Sequence, residues 1–178
     1  MNRPPAPDGG EFGFIARHFA PLARGEPGAF DLTDDAAVLT PEPGRQTVVT
    51  TDVLVSGVHF LPDTPPADVA HKALSVNLSD LAAMGARADA YTLGVAVPRG
   101  ADSPDDAWWD AFCGRLAALQ AHTGVVLVGG DTVSTPGPLS LSVTALGSVP
   151  AGRALRRAGA AAGDLVCLSG TVGDAALG

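Results

Sequence analysis

The sequence predicts an α+β domain in which a mixed β-sheet is backed by two long helices. Three observations carry that expectation. Hydrophobic residues make up 46% of the 178-residue chain, enough for one domain with a real core. Four segments, 47–55, 88–97, 125–128 and 139–149, are rich in β-branched and apolar residues, the composition of strands. Two further segments, 65–84 and 103–122, carry helix-start and helix-stop chemistry.

Taken in order, residues 1–9 are rich in Pro and Gly and are expected to form a flexible tail. Residues 11–23 read as an amphipathic helix, with Phe12, Ile15 and Phe19 near one face and Pro21 near its end. Residues 36–39 form a short strand candidate. The strand at 47–55 is β-branched and interrupted only by Asp52. Thr64 is placed to cap a helix running from about 65 to 84, and Gly85 to stop it. Residues 88–97 alternate weakly, as a strand does. Ser103-Pro104-Asp105-Asp106 is a helix start, with Ser as N-cap, Pro at the first position and acids in the first turn. That helix should run to His122 and end at Gly124. A buried strand at 125–128 and another at 139–149 complete a domain spanning 10–150. Residues 151–178, with a strand at 165–169 and the turn Gly170-Thr171-Val172-Gly173, are expected to open a second α/β domain that the chain does not complete.

The formal charge is −8 and the pI about 4.7, which argues against a nucleic-acid partner, since that would need a basic stripe. No run of eighteen apolar residues appears and no basic-then-apolar leader opens the chain. A membrane partner and secretion are therefore not expected, and the chain is placed in the cytoplasm. Cys113 and Cys167 have no paired spacing and read as two buried thiols in a reducing compartment. No GxxxxGK[ST] occurs, which excludes a P-loop protein.

Chemistry is suggested by four acidic clusters at the edges of apolar segments: Asp34-Asp35, Thr50-Thr51-Asp52, Asn77-Leu78-Ser79-Asp80 and Gly129-Gly130-Asp131-Thr132. An unpaired buried carboxylate is costly. Magnesium is a natural partner, because it prefers oxygen ligands and is usually held by a few carboxylates plus substrate phosphates. Each cluster has a plainer reading. Asp52 is either an edge-strand acid facing water or a ligand supported by Thr50 and Thr51. Asp80 lies on a helix that is apolar nearly all round, with Asn77 on the same face; a metal or backbone donors from a neighbouring loop would satisfy that stripe, and the metal is favoured. Asp131 is delivered by a buried strand through two glycines, which either let a ligand approach the backbone or make a β-turn. Asp34-Asp35 alone would be a solvated turn. Arg153, Arg156 and Arg157 form the one basic cluster, a phosphate clamp or a solvated linker. Lys72 is the only lysine.

These clusters, in this order, resemble the thiamine-monophosphate kinase family. The resemblance begins at Gly10-Glu11-Phe12 and continues through Asp34-Asp35, Thr51-Asp52 and Gly57-Val58-His59-Phe60. Its most specific stretch runs over 72–86, from Lys72-Ala73-Leu74 through Asn77-Leu78-Ser79-Asp80 to Met84-Gly85-Ala86. Gly129-Gly130-Asp131-Thr132, Gly152-Arg153-Ala154-Leu155 and Gly170-Thr171-Val172-Gly173-Asp174 follow. The family belongs to a superfamily with aminoimidazole ribonucleotide synthetase, selenophosphate synthetase and the hydrogenase maturation factor HypE. The resemblance implies the aminoimidazole ribonucleotide synthetase N-terminal-domain fold, and ATP- and magnesium-dependent phosphorylation of thiamine monophosphate to thiamine diphosphate by direct in-line transfer. It implies that Asp35, Thr50, Thr51, Asp52, Asp80 and Asp131 hold several Mg2+ ions. Gly130, Asp131 and Arg157 would contact ATP, and His59 the thiamine substrate. It implies no general base, because the acceptor is already a phosphate, and a homodimer joined through the strands of this domain. The alternatives are another ATP-dependent member of the superfamily, or a dimerising nucleotide-binding fragment without turnover. The four aspartates 35, 52, 80 and 131 are expected to converge.

Overall fold

The structure, a computed structural model, describes residues 10–168 and 170–173. The expected tail at 1–9, Ser169 and residues 174–178 lie outside the described residues.

The main elements are α1 (Gly10–Phe14), β1 (Arg45–Val55), α2 (Pro66–Ala83), β2 (Arg87–Pro98), α3 (Asp106–Thr123), β3 (Val126–Thr135) and β4 (Ser140–Pro150). The strands form one mixed sheet in the order β1-β4-β2-β3. The β1/β4 and β4/β2 pairs are antiparallel, and β2/β3 is parallel. The α+β class and the two backing helices are therefore as the sequence predicts.

One face of the sheet carries the core. Leu54, Tyr91, Leu93, Val95, Leu141, Val143 and Ala145 point toward the helices and are buried. α2 meets them with Val69, Ala70, Ala73, Leu74 and Leu81, and α3 with Trp109, Phe112 and Leu116, the three- and four-residue spacings of a helix face. Phe14 and Phe19 pack edge-on against Trp109, with ring centroids 5.1 and 5.9 Å away. Beside them His18 is buried, its Nδ1 3.3 Å from Asp110 Oδ1.

Caps follow sequence chemistry with small shifts. Asp105, not Ser103, is the N-cap of α3, its Oδ1 accepting from the Trp108 amide at 2.8 Å. Gly124, at φ 78°, ends that helix in the left-handed conformation that favours glycine. Thr64 does not cap α2; the N-cap is Pro65 and no side chain bonds there. Pro66 occupies the first turn, where a missing amide hydrogen costs little. Gly85 stops α2 with φ 70°.

Three expectations need correction. Residues 11–23 are not one α-helix. α1 is followed by a π turn over Ile15–Phe19 and a 3-10 turn over Ala20–Ala23, because Pro21 has no amide hydrogen to continue the α ladder. Residues 36–39 form no strand; the loop is held by a bond from the Val38 amide to the Gly28 carbonyl at 2.8 Å. Residues 165–168 form none either, and Leu165, Val166 and Leu168 are exposed. A strand needs a partner for its ladder, and the named strands of the sheet give this segment none. The chain leaving β4 is tied instead to the end of α2, the Leu155 amide donating to the Met84 carbonyl at 3.0 Å.

Candidate active site

β1 and α2 build the first group of oxygens. Along β1, burial alternates, so Val48, Thr50, Asp52 and Leu54 face the helices. Thr50 donates its hydroxyl to Asp80 Oδ2 on α2 at 2.7 Å. Asp52 and Asp80 line one open groove of about 550 Å³ with His71, Lys72, Ser75 and Ser79. His71, Ser75 and Ser79 recur every four residues and so share one face of α2; only that spacing announced them in the sequence. Thr51 falls on the opposite face of the sheet. Its hydroxyl donates to the Val143 carbonyl at 3.1 Å and accepts from Thr144 at 3.0 Å. Of the two threonines, Thr50 and not Thr51 gives its hydroxyl to this acid pair.

β3 builds the second group. The strand does not stop at Val128 but runs through Gly129-Gly130-Asp131 to Thr135, pairing with β2. The β-turn reading of this segment is thereby excluded. A Cβ at Gly130 would lie 2.0 Å from the Leu93 carbonyl oxygen. Glycine is required there by the neighbouring strand. At Gly129 a Cβ would meet only Thr92 Cγ2, at 3.8 Å. Asp131, Asp34 and Asp35 line a cavity of about 200 Å³ whose apolar side includes Phe12, Ile15 and Leu32.

The four aspartates thus come together as two pairs, not as one cluster. Asp52 lies in register with Val143, Leu93 and Gly130, whereas Asp131 lies in register with Gly94, Ser142 and Val53. Adjacent rows point to opposite faces. β1 and β3 are also the two edges of the sheet, about 14 Å apart at the usual strand spacing. Among the described residues no three His, Cys, Asp or Glu side chains gather as a metal cage.

Each pair nevertheless suits a hard divalent cation. Magnesium needs only one or two carboxylates, with water and phosphate completing its shell. The carboxylates and hydroxyls at both places offer oxygens, His71 Nδ1 of the Asp52 groove lies 3.1 Å from the Arg115 guanidinium, and the lysine beside Asp52 and Asp80 is directed elsewhere: Lys72 Nζ donates to the His59 carbonyl.

His59 sits in the loop after β1 and accepts at Nδ1 from the Val55 amide at 3.0 Å. Arg157 is exposed in the chain after β4 and lines neither acidic cavity.

Residues 33–149 match the model of the AIR synthase related protein, N-terminal domain. The chain belongs to this family. Within it, the chain is 48% identical over 168 residues to a thiamine-monophosphate kinase of Caulobacter vibrioides, covering 94% of this chain and 47% of that protein. The crystal structure of a thiamine-monophosphate kinase from Stenotrophomonas maltophilia matches with TM-score 0.63 at 49% identity, over 71% of this chain and 38% of that one. A structure of AaThiL complexed with AMPPCP and TMP matches with TM-score 0.57 at 28% identity, over 79% of this chain and 42% of that one. This AIR synthase related chain spans about half the length of the curated relatives it matches.

Proposed function

We propose that the chain is the nucleotide- and metal-binding part of an enzyme that transfers the γ-phosphoryl group of ATP to thiamine monophosphate, giving thiamine diphosphate. The observation that carries this reading is identity of 45–48% over 94–95% of the chain to relatives named thiamine-monophosphate kinase. The match to a structure holding AMPPCP, an ATP analogue, and TMP supports both ligands.

In this reading Asp35 and Asp131 would hold Mg2+ against the phosphates of ATP, with Gly130 beside them on β3. Arg157, exposed in the chain after β4, would be the arginine that contacts ATP. Asp52, Asp80, Thr50 and the Thr51 backbone would hold Mg2+ at the second place. When bound, the metal neutralises phosphate charge and orients the phosphates. His59 contacts the thiamine substrate. Phosphoryl transfer asks for alignment and charge compensation more than covalent chemistry, and no residue here is assigned as a general base. Cys113 is buried as expected, whereas Cys167 is exposed; two free thiols suit the reducing cytoplasm. No helix among the described residues is long and apolar enough to cross a membrane.

The test is an assay with ATP, thiamine monophosphate and Mg2+, followed by chromatography for thiamine diphosphate. Product is expected from the protein that contains this chain, and none with excess chelator. Undiminished turnover in chelator would sink the metal reading, and absence of thiamine diphosphate would sink the substrate reading. The chain's coverage of only 47–50% of its relatives favours a second reading, in which the 178 residues alone bind Mg-nucleotide weakly and dimerise without turnover. The same assay on the chain by itself separates the two.

A further inference from the structure

We propose that Lys72 is a positioning residue that sets the orientation and tautomer of His59. The proposal deepens the reading above, because it assumes that His59 meets the thiamine substrate.

The loop between β1 and α2 closes on itself. The Gly57 amide donates to the Phe60 carbonyl at 2.7 Å, and the Val58 and His59 amides donate to the Val55 carbonyl at 3.1 and 2.8 Å. The Ser56 amide reaches the Leu139 carbonyl at 2.9 Å, and Phe60 packs against the core. Both ends of the loop are therefore anchored. Its middle, Val58 and His59, is exposed. Among the described residues, one side-chain hydrogen bond reaches this loop from another element: Lys72 Nζ of α2 donates to the His59 carbonyl.

The ring of His59 is fixed in turn. Nδ1 accepts from the Val55 amide, so the proton of the neutral ring sits on Nε2. The outward face of the ring is then a single N–H donor, suited to a phosphate or ring-nitrogen acceptor. Release of the His59 backbone would let Nδ1 leave the Val55 amide, and both tautomers would become populated. Lys72 also lines the groove of Asp52 and Asp80, so the same side chain places that donor at the rim of the acid pair. The only lysine of an acidic chain is thus directed at a peptide carbonyl and leaves those carboxylates to an outside cation.

The experiment uses nitrogen-15-labelled chain, unsubstituted and as Lys72→Met and Lys72→Arg. Long-range proton–nitrogen spectra of the His59 ring report the tautomer without any ligand. Titration calorimetry with thiamine monophosphate and, separately, with Mg-ATP reports affinity, and thermal melting checks the fold. The unsubstituted chain should show the Nε2–H tautomer. Lys72→Met should show a mixture and bind thiamine monophosphate roughly five- to twentyfold more weakly, the effect of mis-setting one hydrogen-bond donor. Lys72→Arg should restore both. Should Lys72→Met fail to fold, Lys72→Gln, a shorter neutral donor, takes its place. A pure Nε2–H tautomer and unchanged affinity in a folded Lys72→Met chain would overturn the proposal. If neither the chain nor the longer protein that contains it binds thiamine monophosphate, the substrate reading fails, and the tautomer spectra still decide for or against Lys72.

Discussion

Asp52 and Asp80 reach the same groove through different periodicities: every second residue of β1 faces α2, and Asp80 lies on the α2 face that meets Thr50. Removing one ligand charge should cost more than removing an outer-shell partner, which typically costs about 10–100-fold. Asp52→Asn and Asp80→Asn are therefore expected to lower turnover by roughly that range or more, with the loss partly recovered at high Mg2+. Asp105→Asn should leave turnover intact, because Asn caps helices as well as Asp does; equal loss in all three variants would refute the site. At the same scale, burial pushes the Cys113 thiol up from 9.0 to about 12, and burial also raises the Tyr91 hydroxyl above its ordinary value of 10.0. Above pH 9 the unfolded chain releases the thiol proton and the folded chain keeps it. Stability is thus insensitive to Cys113 below pH 9 and falls as pH rises toward 12, by up to about 1.4 kcal/mol per pH unit. Melting temperature followed from pH 8 to 11 should bend downward near 9, and Cys113→Ala should soften the bend.

Among the elements, the turn Pro27–Leu32 is the most unusual. Phe30, Asp31 and Leu32 hold φ of 50, 54 and 57°, a run of left-handed backbone that side chains resist by roughly 1–2 kcal/mol per residue. This turn leads straight into Asp34 and Asp35. Asp31→Gly should raise thermal stability; a lower melting temperature would show that the Asp31 side chain stabilises the turn. Sequence periodicity made the four strands and two long helices legible, because each buries a continuous face in one core. It failed where partners decide. Gly129-Gly130 looks like a turn, yet pairing with β2 carries it as strand. Residues 36–39 and 165–168 look like strands, yet have no ladder to join. The candidate acids were legible one by one, but which of them share a cavity depends on strand order, and alternation within a strand does not encode that.

For the whole molecule, two sides of the sheet have opposite fates. Helices cover one. On the other, along edge strand β1, Val49 and Val53 are 60% and 52% exposed. An open edge with apolar side chains is a template for pairing, which supports a homodimer joined through the strands of this domain, with β1 as the candidate seam. Val53→Glu is expected to leave the melting temperature nearly unchanged in dilute solution and to shift the sedimenting species from dimer to monomer. A chain already monomeric at high concentration would remove the support.

The approach of β3 to β2 at Gly130 bears on how mutational surveys of this protein should be scored. Any substitution there drives a carbon into the Leu93 carbonyl, so Gly130 variants are expected to vanish from the soluble pool before ligand binding is ever sampled. A growth-based survey would not separate loss of fold at Gly130 from loss of a nucleotide contact there. Gly129, where the extra carbon meets ordinary contact, is the abundance control: its alanine variant should keep normal levels. Counting protein and product in the same cells separates the two neighbours.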